Sequence, residues 1–235
     1  MIQEFFFDSR EALQAAVVEY SLGVLQASLN GRDRVALLVS GGSSPELIYK
    51  QLAQADFPWN QVTVALVDER WVSRDHDKSN EAFIRRTLLT GNAKSAQLTA
   101  MKNVAATAAD GQGLCDQAYR LLPKHWALAM LGMGPDGHTA SLFPHAQGLE
   151  KALSPEAPLC VDIEAKQSEV TGAITERMTL SLPGLLKAER LALLITGQEK
   201  REIYEAAKAG DDIHGMPVRA VLQQQQVPVD VFWAP

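Results

Sequence analysis

The feature that most narrows the folds open to this chain is an alternation. Short, nearly uninterrupted apolar runs are separated by stretches in which apolar residues recur at helical spacing. The runs lie at 35–39, 62–67, 126–131 and 190–195. Strands that are apolar throughout must be covered on both faces, which is the condition of a parallel sheet built from βαβ units. A further strand at 229–233 ends the chain, with the sheet edge as its expected place. Helices fit 9–29 with Ser9 or Asp8 as N-cap, a segment starting at Pro45 after Ser43 and Ser44, and then 80–89, 105–122, 182–186 and 198–209. There is no internal repeat and no long linker, and the Gln223–Gln226 run reads as a solvated helix end or loop. The expectation is an α/β protein with a mainly parallel sheet flanked by helices on both faces, folded as one domain over residues 1–235.

Charge and cysteine usage exclude several functions. Lys plus Arg is 22 and Asp plus Glu is 28, a net charge of −6, and no basic run interrupts the acidic balance. Such a surface repels phosphate backbones, so no nucleic-acid partner is expected. A small anionic substrate stays compatible, because a few basic groups converging in a cleft outweigh a mildly acidic exterior. Cys115 and Cys160 have no CxxC spacing and no neighbouring His, and they read as buried thiols in a reducing cytosol, with neither disulfide nor zinc. The first eight residues carry acid where a secretory signal needs positive charge, and no apolar stretch has membrane-spanning length. The expected setting is the cytoplasm, without a membrane partner.

In open parallel sheets, ligands gather at the carboxyl ends of the strands. After 35–39 comes Ser40-Gly41-Gly42-Ser43-Ser44-Pro45, whose glycines and hydroxyls suit an anion pocket; the alternative is a tight turn with a capping Ser. After 62–67 comes Asp68-Glu69-Arg70-Trp71, which positions a polar substrate or neutralises its phosphate, or is a strand-end ion pair with Trp71 merely packing. His76, in the polar loop beyond, reads as solvated.

After 126–131 comes Gly132-Met133-Gly134-Pro135-Asp136-Gly137-His138, a literal GxGxxG. Three features argue against a dinucleotide. The segment is not the first βα turn, Pro144 and Gly148 cut short the helix that would carry the pyrophosphate, and the Asp136 charge would repel it. The Asp136–His138 spacing instead suits a carboxylate that fixes an imidazole tautomer and makes His138 a general base. Arg177 and Lys200, at further expected strand ends, complete a candidate anion site with Gly42 and Ser43. His125, His145 and His214 lack such a setting.

Five segments, 39–43, 67–70, 131–144, 177–180 and 196–200, resemble in order those of 6-phosphogluconolactonases, and together they span nearly the whole chain. The third is long and specific. Related glucosamine-6-phosphate deaminases share the modified Rossmann-like fold but typically follow the loop His with Ile-Ala-Phe-Asn-Glu-Pro. Here Thr139-Ala140-Ser141-Leu142-Phe143-Pro144 offers no carboxylate.

The resemblance implies hydrolysis of the δ-lactone of 6-phosphogluconate in the pentose phosphate pathway, with no metal and no organic cofactor. His138 would be the base and Asp136 its orienter. Arg70 would stabilise the oxyanion or bind phosphate. Gly42, Ser43, Arg177 and Lys200 would bind phosphate, and Asp68 the sugar hydroxyls. The competing readings are an isomerising deaminase of an amino-sugar phosphate and a non-catalytic sugar-phosphate sensor. A sensor of this fold carries an N-terminal helix-turn-helix, for which Phe5-Phe6-Phe7 leaves no room. A small sugar phosphate is the expected partner and a monomer the favoured state.

Overall fold

The apolar runs become the strands of one parallel sheet. The computed structural model describes residues 1–235. Its chain opens with β1 (Ile2–Phe6), α1 (Arg10–Leu29), β2 (Val35–Val39), α2 (Glu46–Leu52), β3 (Val62–Leu66) and β4 (Asp68–Arg70). It continues through α3 (Asn80–Thr87), β5 (Gln97–Thr99), α4 (Ala108–Arg120), β6 (Trp126–Gly132) and α5 (Leu149–Leu153). The remainder holds β7 (Cys160–Glu164), β8 (Glu176–Leu180), α6 (Leu182–Leu185), β9 (Leu191–Thr196), α7 (Gln198–Ala209), α8 (Val218–Gln223) and β10 (Val229–Ala234). As expected, Ser9 caps α1, its hydroxyl accepting from Ala12 N at 3.1 Å.

The large sheet has seven strands in the order β1-β10-β9-β6-β2-β3-β5, every neighbouring pair parallel. All five residues of β2 and all five of β3 are buried, so helices cover both faces there. From β2 the chain first builds outward through β3 to β5. It then returns to the other side of β2 and builds through β6 and β9 to β10. The reversal between β2 and β6 opens a crevice at their carboxyl ends, the place where this architecture takes ligands.

Two features depart from the sequence expectation. The terminal strand is not at the edge: β10 lies between β9 and β1, with Phe232 stacked on Phe5 at 5.0 Å. The aromatic run near the start therefore supplies the edge strand. The apolar run at 62–67 also ends one sheet and starts another. Val67 donates to the Val39 carbonyl at 3.0 Å and accepts from Leu180 N at 2.8 Å. Beyond it β4 pairs antiparallel with β8, and β8 with β7, in a separate three-stranded sheet. One apolar cluster of 66 buried residues takes in both sheets, including Cys160, Met178 and Leu180 of the smaller one. Each fully buried Leu or Val in it contributes about 1.5–3 kcal/mol relative to exposure.

Candidate active site

A cleft of about 520 Å³ opens at the reversal point. Its walls come from residues 40–45 after β2, residues 131–135 at the end of β6, and Leu194 and Lys200 beside the end of β9. Asp68 and Arg70 of β4, Asn80 at the start of α3, and His138, Ala140, Glu169 and Val170 complete them. Gly42, Ser43, Asp68, Arg70, His138 and Lys200 thus come together around one space. Asp136 stands behind His138, and Arg177 lies apart.

The loop at 132–138 is shaped by its histidine rather than by a nucleotide. Asp136 Oδ1 lies 2.5 Å from His138 Nδ1 and also accepts the His138 backbone N–H at 3.1 Å. Because a carboxylate only accepts, Nδ1 carries the proton and Nε2 is left as the basic nitrogen. Gly134 leaves room for this pair: a Cβ there would overlap the His138 ring and Asp136 Oδ1. Gly137 sits at φ +76°, where a side chain would also strike Met216, and its carbonyl is held by Val218 N at 2.9 Å. No helix follows the loop until α5 begins at Leu149, so nothing presents the N-terminus that a pyrophosphate would need. Burial raises the Asp136 carboxyl, but the hydrogen bond from His138 and the imidazole charge outweigh it and hold the group below its ordinary range.

The acidic pair of β4 divides its duties. Asp68 is 8% exposed and borders the cleft. Its Oδ2 accepts from Ser141 Oγ at 2.6 Å, and its Oδ1 from Asn80 Nδ2 at 3.1 Å. Both oxygens are fixed by neutral donors, so the carboxylate is held ready to receive a further hydroxyl. Glu69 is fully buried and points to α3. It accepts from Ser79 Oγ at 3.0 Å and from the backbone N–H groups of Asn80 at 2.6 Å and Glu81 at 2.8 Å. It thereby caps that helix and sets the position of Asn80. Burial pushes its carboxyl above the ordinary range, while the same N–H donors oppose the shift.

Two cations line the cleft. Arg70 Nη1 donates to the Lys78 carbonyl at 2.7 Å. Lys200 projects from the first turn of α7, and burial lowers its amine below the usual lysine range against the opposing charge of Glu199. Gly42, at φ +103°, turns the loop after β2 in a conformation that disfavours side chains. Arg177, expected as a phosphate ligand, does not reach this space. It is 3% exposed, near the start of antiparallel β8 rather than beyond a parallel strand, and behind the wall. Burial and the facing Arg70 bring its guanidinium down to about 10, still charged at neutral pH.

Sequence reasoning missed Ser141, Asn80, Glu169 and Val170. Ser141 lies within the loop segment already singled out, but only the fold shows that its hydroxyl meets Asp68 across 73 positions. Trp71 is packed, with its Nε1 donating to the Ala106 carbonyl at 3.1 Å. His76 is exposed and Cys115 and Cys160 are buried free thiols, also as expected. No group of three or more His, Cys, Asp or Glu side chains is placed to hold a metal, and no helix is long and apolar enough to cross a membrane.

The profile of the glucosamine-6-phosphate isomerases/6-phosphogluconolactonase family matches residues 8–233. A 6-phosphogluconolactonase of Rhizobium meliloti is 35% identical, over 97% of this chain and 97% of its own. Another, from Pseudomonas aeruginosa, is 36% identical over 91% of this chain and 87% of its own. Among solved structures, that of a 6-phosphogluconolactonase from Shewanella baltica superposes with a TM-score of 0.94 at 36% identity. It covers 100% of this chain and 98% of that one.

Proposed function

Because this chain belongs to the glucosamine-6-phosphate isomerase/6-phosphogluconolactonase family, we propose that it is a lactonase that hydrolyses 6-phospho-D-glucono-1,5-lactone to 6-phosphogluconate with His138 as general base. The observation that carries this reading is the pairing of His138 Nδ1 with Asp136, which leaves Nε2 as the basic nitrogen of a residue lining a cleft that also holds Arg70 and Lys200. Nε2 takes a proton from water, and the resulting hydroxide attacks the C1 carbonyl. The tetrahedral intermediate collapses with cleavage of the C1–ring oxygen bond, and the imidazolium returns its proton to the departing oxygen. Asp136 holds the ring in the productive tautomer and stabilises its charged form.

The phosphate dianion is met by the Lys200 ammonium and by the Gly42–Ser43 loop. Asp68, fixed by Ser141 and Asn80, accepts from the sugar hydroxyls. Arg70 supplies a second positive charge. A comparison of phosphorylated with unphosphorylated lactone separates its two possible services: loss of preference marks a phosphate contact, and loss of turnover on both marks the oxyanion. No metal or organic cofactor takes part in this scheme. The proposed setting is the cytoplasm, where two free thiols persist.

The loop after His138 favours this chemistry over deamination. From Thr139 to Pro144 it holds no carboxylate, and its Ser141 is committed to Asp68. Supplying the purified protein with both substrates tests the choice. Lactone opening above the spontaneous rate, without ammonia release from glucosamine 6-phosphate, is the expected result. Ammonia release without lactone opening would overturn the proposal.

A further inference from the structure

Arg177 has a buried environment that phosphate binding does not explain. It pairs in register with Arg70 across β4 and β8, and like charges directly opposite one another repel. Its Nη2 donates to the Thr171 carbonyl at 3.0 Å. Its guanidinium carbon lies 5.6 Å from the centre of the Phe143 ring, within range of a cation–π contact. That ring lies 4.3 Å from the His138 imidazole, tilted by 33°.

Thr171 belongs to a closed turn. The Gly172 N–H donates to the Ser168 carbonyl at 2.8 Å, and Ser168 Oγ accepts from Thr171 N at 3.1 Å. Glu169 and Val170, between those ends, line the cleft. The turn is otherwise a surface excursion between β7 and β8, with residues 167–170 exposed. The Thr171 carbonyl of this turn thus accepts from a charged donor, and hydrogen bonds from charged groups are stronger than neutral ones.

We propose that Arg177 is a positioning residue and not a phosphate ligand. From behind the wall it latches the 168–172 turn through Thr171, so that Glu169 and Val170 face the substrate, and it backs the Phe143 ring against His138. Both contacts use features of arginine that lysine lacks. The planar fork reaches the carbonyl from one edge while its face stays over the ring. The turn then contributes a carboxylate and an apolar side chain to the wall of the cleft, and neither is suited to phosphate. Removal of the latch therefore impairs handling of the sugar ring, which the phosphorylated and unphosphorylated lactones share.

The proposal rests on the lactonase reading, and two measurements on Arg177→Met keep them separable. The first is hydrolysis of the phosphorylated δ-lactone and of glucono-δ-lactone. The expected result is a loss in kcat/KM on the order of 10-fold for both, with their ratio unchanged. The second is the rate of trypsin cleavage after Lys166, at the base of the turn, which should rise. A selective loss on the phosphorylated lactone would make Arg177 a phosphate contact and overturn the proposal. Unchanged kinetics with unchanged cleavage would overturn it as well.

Should Arg177→Met fail to fold, the double variant Glu169→Ala, Val170→Ala on the exposed turn carries the test. It should lose activity on both lactones alike while keeping the wild-type Tm, and wild-type kinetics there would refute the role given to the turn. If the wild-type protein opens neither lactone, the lactonase reading falls. The trypsin comparison then still decides whether Arg177 holds the turn.

Discussion

The two sheets of this protein are built on opposite principles. In the seven-stranded sheet the central strands β2 and β3 bury every residue, and the side chains are almost all aliphatic. In the three-stranded sheet β4 consists of Asp68, Glu69 and Arg70, and β8 places Arg177 opposite Arg70. Buried charge is costly unless each group is paired or hydrogen-bonded. Here the acids are well served: Glu69 caps α3, and Asp68 holds Ser141 and Asn80. The arginines are served less fully, since Nε of both Arg70 and Arg177 is buried without a partner. The large sheet thus supplies stability and the crevice, and the small sheet supplies fixed charge along one side of it. The residues proposed to act on the substrate, His138 after β6 and Lys200 after β9, stand where the chain leaves apolar strands.

This division can be broken experimentally. Leu37 is fully buried at the centre of β2, and Leu37→Ala should cost about 2–5 kcal/mol of stability. Turnover per folded molecule should stay near wild type, with denaturant titration reading the first effect and kinetics below the transition reading the second. A loss of turnover as large as the loss of stability would show that the large sheet also shapes the chemistry.

Lys200→Met sharpens the other half of the comparison with a smaller effect. Loss of a charged hydrogen bond to phosphate should raise KM for the phosphorylated lactone about 10- to 100-fold and leave the unphosphorylated lactone nearly unaffected. The pH dependence follows from the lowered pKa of Lys200. In the proposed scheme only the protonated amine holds the dianion. KM should therefore be level at neutral pH and rise as pH climbs through that pKa, earlier than an ordinary lysine would allow. In Lys200→Met this alkaline rise should vanish; its persistence would assign it to another group.

The same contrast explains what the sequence made legible. Residues 35–39 and 198–209 can be read directly, because uninterrupted burial and helical spacing leave a local signature, and both segments form the elements expected. The small sheet leaves none. Asp68-Glu69-Arg70 reads as a charged strand end, either for substrate or as an ion pair, and its pairing with β8 spans more than a hundred positions. Arg177 therefore reads as a member of the anion site, since a sequence gives the residue but not the side of a wall on which it lies. The 132–138 loop was legible because Gly134, Asp136 and His138 constrain one another within five positions. Ser141, Asn80, Glu169 and Val170 depend on long-range packing and carried no such signal.

The central claim is that His138 Nε2 activates the water that opens the lactone. Its most direct test compares the wild type with His138→Ala on the phosphorylated δ-lactone, after subtraction of spontaneous opening, with substrate affinity measured in parallel. A fall in kcat of about 10²- to 10⁴-fold with little change in affinity is the predicted result. Near-wild-type kcat in a folded His138→Ala protein would contradict it.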